Sequence, residues 1–166
     1  FWHDFAQNNL FGIEINDSIA RVAKMNMIIH DDGHTNVIGF DALEDVGKMT
    51  EKNRGFEKNH FDVIVTNPPF GANVKRSEHS YLEKFALGQN GKKVRDNQKT
   101  EILFIERCID FLKPGTGQMA IVLPDGVLTN SSLQYVRDFI MEKAQILAVV
   151  SLPQFAFAHF GAGVKS

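Results

Sequence analysis

Short apolar runs alternate along this chain with stretches whose apolar residues recur every three to four positions. Leu10–Ile15 reads as a strand, and Ile19, Val22, Ala23 and Met27 stand at helical spacing. A helix is therefore expected from Ser18 to about His30, capped by Asp17 or Ser18 and ended by Asp31-Asp32-Gly33. Asn36–Gly39 reads as a short strand, and Lys48–His60 as a polar loop. Phe61, Val63, Ile64 and Val65 form a nearly unbroken apolar run, as expected of a strand buried on both faces of a parallel sheet. Ile102, Ile105, Ile109 and Leu112 share a face of a helix over Thr100–Leu112, which Pro114-Gly115 terminates. Gln118–Leu123 reads as another buried strand. Ser131 and Gln134 stand in capping-box spacing ahead of a helix with Leu133, Val136 and Ile140 on one face, and Ile146–Leu152 reads as a last strand. Strands alternating with helices imply an α/β fold, a mostly parallel, doubly wound sheet with helices on both faces.

Composition narrows the classes. The 166 residues are enough for one domain with a sizeable core. A formal net charge of −2 excludes a wholly basic nucleic-acid binder but not a local basic patch. One such patch is visible: Gly71–Lys99 lacks periodicity and holds seven basic residues against three acids. It reads as a flexible basic loop over residues 70–99, either solvated or in contact with phosphates. Cys108 is the single cysteine, so no disulfide framework or cysteine zinc site is expected, and the six histidines show no paired ligand spacing. No long apolar run suggests a membrane span, and a cytoplasmic location is the default.

The chemistry points to Asn67-Pro68-Pro69-Phe70. Two consecutive prolines cannot continue a ladder, since neither carries an N–H. They leave a stiff tip at the carboxyl end of a strand, the edge at which open α/β sheets hold ligands. The Asn67 side-chain carbonyl and the Pro68 carbonyl are two acceptors suited to the hydrogens of an amino group. Held there, a poorly nucleophilic exocyclic amine can turn its lone pair toward an electrophile, by positioning rather than strong base catalysis. Phe70 offers a face on which a base can stack, and the plainer alternative is a proline-rich turn. Glu14 ends the first strand, where a carboxylate can accept from both hydroxyls of a ribose; Asp41 follows the next, where it can accept from an adenine amine. A solvated strand-end acid and a turn residue are the plainer alternatives. Leu123-Pro124-Asp125-Gly126 ends a strand at the same edge, as pocket lining or as a plain turn.

FGIEIN, Asn67-Pro68-Pro69-Phe70-Gly71, FLKPGTGQMAIVLPDGVL (Phe111–Leu128) and AVVSLPQFAF with GAGVKS (Ala148–Ser166) together resemble the modification subunit of type I restriction–modification systems, over nearly the whole chain. The resemblance implies a Rossmann-like sheet of the S-adenosylmethionine-dependent methyltransferase type. It implies N6 methylation of adenine in DNA, with target choice left to a specificity subunit in a complex holding a second modification subunit. It places Glu14, Ile15, Asp41, Ala42 and Asn67 at the cofactor and Asn67, Pro68, Pro69 and Phe70 at the target base, with no metal. The family's glycine loop follows a strand upstream of the Glu14 strand. Residues 1–166 are therefore expected to be a single partial catalytic domain, lacking that strand, cut in its last strand and inactive alone. Asn-Pro-Pro with an aromatic is also compatible with methylation of guanine N2 in RNA or of a protein glutamine amide. A non-catalytic scaffold that docks a specificity subunit is the alternative of another class.

Overall fold

Asn16 sets the start of the first long helix. Its side-chain oxygen accepts from the N–H groups of Ser18 at 3.0 Å and Ile19 at 3.2 Å, a cap worth about 1 kcal/mol. The computed structural model describes residues 1–30, 34–78, 80–153 and 156. The expected stop at Asp31-Asp32-Gly33 and most of the motif beyond Pro153 lie outside them. Up to that point the chain runs α1 (Trp2–Asn9), β1 (Gly12–Glu14) and α2 (Asp17–Ile29). The cap is thus Asn16 rather than Asp17 or Ser18. The helix buries Ala20 and half-buries Ala23 and Met27, whereas Ile19 and Val22 of the expected apolar face are exposed.

The chain divides into two compact units, Phe1–His60 and Phe61 onward. In the first, β2 (Val37–Gly39) pairs in parallel with β1, with Gly12 opposite Val37 and Glu14 opposite Gly39. The stretch expected as a loop from Lys48 contains α3 (Val46–Lys52), whose Met49 is fully buried. Asp45 caps it, accepting from Gly47 N–H at 2.8 Å. Leu43, Met49, Phe56 and Ile38 are buried here, and Phe11 meets Phe56 edge-on with ring centroids 5.5 Å apart.

In the second unit β3 (Val63–Thr66) pairs in parallel with β8 (Gln118–Ile121), Val63 opposite Gln118 and Thr66 opposite Ile121. The expectation that β3 and β8 are buried on both faces is corrected. Val63 and Val65 are 63% and 78% exposed, and burial alternates along both strands, so only one face of the pair is covered among the described residues. Between these strands lie β4 (Asn73–Lys75), β5 (Gln89–Asn90), β6 (Lys93–Val94), β7 (Asn97–Lys99) and α4 (Thr100–Phe111). The segment expected as a loop without regular structure is closed at its base by the antiparallel β4–β7 ladder. A β5–β6 hairpin turns within it, and Val74, Tyr81, Leu82, Phe85 and Leu87 are buried. Gly91 takes φ +62° at the first position of the hairpin turn, where a side chain would be strained.

Helix α4 is the centre of this unit. Ile102, Leu103, Ile105, Cys108 and Phe111 are buried on it, more than one face requires. Leu87, Ile102, Ile105, Val127 and Val136 form one apolar cluster, against which Ile121 and Leu123 from the end of β8 pack. Each such side chain contributes about 1.5–3 kcal/mol when fully buried. Past β8 come α5 (Asp125–Thr129) and α6 (Gln134–Lys143). The Ser131–Gln134 capping box does not form. Asn130 accepts instead from Ser132 N–H and Ser132 Oγ, each at 2.9 Å, and starts a short 3-10 turn before α6. The run 146–152, expected as a strand, forms none; Ile146, Leu147, Val149 and Val150 are exposed. Apolar, β-branched composition favours a strand, but a strand exists only where a partner takes its N–H and C=O groups.

Candidate active site

The corner after β3 is placed by the register of its ladder. Val122 N–H donates to Thr66 O at 3.1 Å, the last rung, and Asn67 follows at once. Because Thr66 stands opposite Ile121, the Asn67-Pro68-Pro69-Phe70 tip and the 123–125 tip leave the same end of the strand pair. Pro68 is buried, Asn67 and Pro69 are exposed, and Phe70 is half-buried. An exposed amide with a partly covered ring beside it suits a site that receives a flat ligand. The Leu123-Pro124 turn is followed by a short helix rather than ending in a plain loop, with Val127 N–H donating to Pro124 O at 2.9 Å.

Beyond Phe70 the backbone turns through Gly71 at φ +77°, with nothing within 4 Å of where a Cβ would stand. Glycine is required there by conformation, not by space. Gly71 N–H donates to Glu101 Oε2 at 3.2 Å, and Lys99 Nζ donates to Gly71 O at 3.2 Å. Thr100 donates to Ala72 O through its N–H at 3.0 Å and its Oγ1 at 3.2 Å. Sequence reasoning missed these three residues. The one available signal was an acid placed just ahead of the apolar run of α4, as in a helix's first turn.

In the first unit, the parallel β1–β2 pair brings Glu14 and Asp41 to adjacent strand ends, with Phe40 N–H donating to Glu14 O at 3.0 Å. Glu14 Oε1 accepts from Asn16 N–H at 2.7 Å, which orients the carboxylate and leaves Oε2 as the atom aimed elsewhere. Asp41 Oδ1 accepts from Leu43 N–H at 2.9 Å and so holds its own turn. Ile15 is exposed and Ala42 half-buried. Carboxylates oriented by backbone N–H groups are an acceptor set that fits ribose hydroxyls and an amine, so these residues fit the adenosyl part of the implied cofactor. Among the described residues, no group of three or more His, Cys, Asp or Glu side chains could hold a metal ion, and no helix is long and apolar enough to cross a membrane.

The basic residues of 71–99 divide by what they touch. Lys75 pairs with Glu78 at 2.8 Å, which raises its pKa. Arg95 lies over the Tyr135 ring at 4.3 Å and donates through Nε to Gln89 O at 3.0 Å, so it serves packing. Lys92 and Lys93 are exposed at the hairpin turn.

Parallel strand pairs crossed by helices, with an Asn-Pro-Pro-Phe corner at a carboxyl edge, define an α/β fold of the S-adenosylmethionine-dependent methyltransferase type. A solved structure described as a class I S-adenosylmethionine-dependent methyltransferase from Listeria monocytogenes has the same fold. It matches with a TM-score of 0.65 at 20% identity, over 86% of this chain and 38% of that one. The chain belongs to the N-6 DNA methylase family, whose sequence profile matches residues 2–165. Similar relatives include the type I restriction enzyme MpnII methylase subunit of Mycoplasma pneumoniae, 28% identical over 89% of this chain. The EcoEI methylase subunit of Escherichia coli is 26% identical over 99%, and the StySPI methylase subunit of Salmonella potsdam 29% identical over 98%. The chain spans only 28–30% of the length of these relatives.

Proposed function

We propose that this chain is catalytic in the transfer of a methyl group from S-adenosylmethionine to the N6 amino group of adenine in DNA. It would act within a type I restriction–modification enzyme, beside a specificity subunit and a second modification subunit. The observation that carries this reading is the exposed Asn67 amide at the end of β3, followed by a buried proline and a half-open phenyl ring, in a member of the N-6 DNA methylase family.

The cofactor supplies an electrophilic methyl group when bound. Glu14 would accept from its ribose hydroxyls and Asp41 from its adenine amine, with Ile15 and Ala42 alongside. The target adenine must leave the duplex, at a cost of about a few kcal/mol. Phe70 would stack on it, worth roughly 1–3 kcal/mol. Asn67 Oδ1 and the Pro68 carbonyl would hold the two amino hydrogens and turn the nitrogen lone pair outward. The proton lost on alkylation would pass to water at the exposed Asn67. Lys92 and Lys93 would meet phosphates, which position a duplex without reading its sequence.

The test uses the full-length protein in its assembled enzyme, with methyl-labelled S-adenosylmethionine and DNA hydrolysed to nucleosides. Label is expected in N6-methyldeoxyadenosine, and Asn67→Ala is expected to slow its appearance by about 10²–10³-fold, the usual cost of losing a donor or acceptor aimed at a transition state. Label in RNA guanine or in protein glutamine, no transfer at all, or an undiminished rate in Asn67→Ala would each overturn the proposal.

A further inference from the structure

We infer that Lys99, Thr100 and Glu101 form a clamp on the catalytic corner, with Glu101 a positioning residue for the transfer; this rests on the methyl-transfer reading above. The corner 67–70 is short and lies outside the strand ladder. On one side it is held by the last rung, Val122 N–H to Thr66 O. On the other, three consecutive residues hold the backbone of two consecutive ones, Gly71 and Ala72. Glu101 takes the Gly71 N–H, Lys99 the Gly71 carbonyl, and Thr100 the Ala72 carbonyl twice.

Between these anchors Pro68 and Pro69 have φ locked by their rings, so few soft torsions are left. The direction in which Asn67 and Phe70 point is then set by where the two anchors stand. Thr66 stands where β8 puts it. Gly71 stands where Glu101 puts it, and Glu101 is only 5% exposed in the first turn of the most buried helix of this unit. A carboxylate so placed has little room to follow the loop if the loop moves, so the loop must follow the carboxylate. The Gly71 conformation at φ +77° presents its N–H to Glu101 in the first turn of α4 and its C=O to Lys99 at the end of β7, two residues earlier. Misplacement by about 1 Å in such a corner is the kind of change that costs on the order of 10²-fold in rate.

The experiment compares wild type, Glu101→Ala, Glu101→Gln and Lys99→Met in the full-length assembled enzyme. Two readouts are taken: hydrogen exchange of the Gly71 amide, and kcat and KM for S-adenosylmethionine. Glu101→Ala is expected to speed Gly71 exchange at least tenfold and lower kcat at least tenfold, with KM within about twofold. Glu101→Gln keeps an acceptor for the Gly71 N–H and is expected to restore most of both. Lys99→Met, at an exposed position, decides the matter if Glu101→Ala does not fold; it is expected to lower kcat severalfold at unchanged KM. Unchanged Gly71 exchange in Glu101→Ala overturns the clamp whatever the enzyme methylates. Faster exchange with wild-type kcat overturns the positioning role, as does wild-type kcat in Lys99→Met where that variant decides. If wild type methylates another acceptor, the adenine reading falls while the same kcat comparison, made with that acceptor, still judges the clamp.

Discussion

Glu106 is buried on α4 and spans two backbone donors, accepting from Ala86 N–H at 2.7 Å and Leu87 N–H at 2.8 Å through its two oxygens. Leu87 belongs to the apolar cluster, so these bonds fix the segment that closes over the core. In Glu106→Ala both N–H groups are orphaned, at about 1–3 kcal/mol each, so a loss of about 2–6 kcal/mol is expected before water or relaxation reduces it. Glu106→Gln keeps one acceptor and turns an NH2 toward the other donor, so a loss of about 1–3 kcal/mol is expected. Acidity gives an independent check. Burial raises the Glu106 pKa above the ordinary 4.5, opposed by the Leu87 and Ala86 N–H groups; Asp110 adds to the rise and Arg107 opposes it. An acid with a raised folded pKa holds its proton more tightly when folded. Its contribution to stability is therefore fully present below the unfolded value and is lost as pH rises through the folded one. Wild type should gain stability relative to Glu106→Gln as pH falls through the raised Glu106 pKa toward the ordinary 4.5. Urea unfolding followed by circular dichroism at several pH values measures this, read from midpoints at constant m. Wild type losing ground to Glu106→Gln on acidification would refute the sign. A Glu106→Ala loss below about 0.5 kcal/mol would refute the accounting of the two donors.

Two further outcomes are expected. Burial pushes the Cys108 thiol up to about 12, so near neutral pH its reaction with a disulfide reagent should be on the order of a thousandfold slower folded than in denaturant; equal rates would place the thiol at the surface. Replacing Lys92 and Lys93 with alanine in the full enzyme should flatten the salt dependence of DNA binding by up to about 0.9 in log–log slope per lysine. A slope unchanged from wild type would remove the hairpin from the interface.

What the sequence made legible was the alternation and the corner. The strands at 12–14, 37–39, 63–66 and 118–121 and the helices at 17–29 and 100–111 arise from periodicity, which survives any detail of packing. The family of the chain was legible for the same reason: its motifs sit where those elements end. The helix Val46–Lys52 was not, because a single buried residue, Met49, ties it to the core and one residue has no period. The Ser131–Gln134 box lost to Asn130, which stands one position earlier and accepts from the Ser132 N–H and hydroxyl. Val63 and Val65 looked buried because composition records what a strand can hide, not what covers it. The clamp on Gly71 was illegible because Glu101 is 30 positions away along the chain.

Parallel pairing of β3 and β8 in step has one more consequence. Deleting a single residue from either strand would turn its remaining side chains to the opposite face and pull one tip back by about 3.3 Å relative to the other. Substitutions within 63–66 or 118–121 leave the tips level. Mutational drift can therefore rewrite the lettering of these two strands while their residue count stays under constraint.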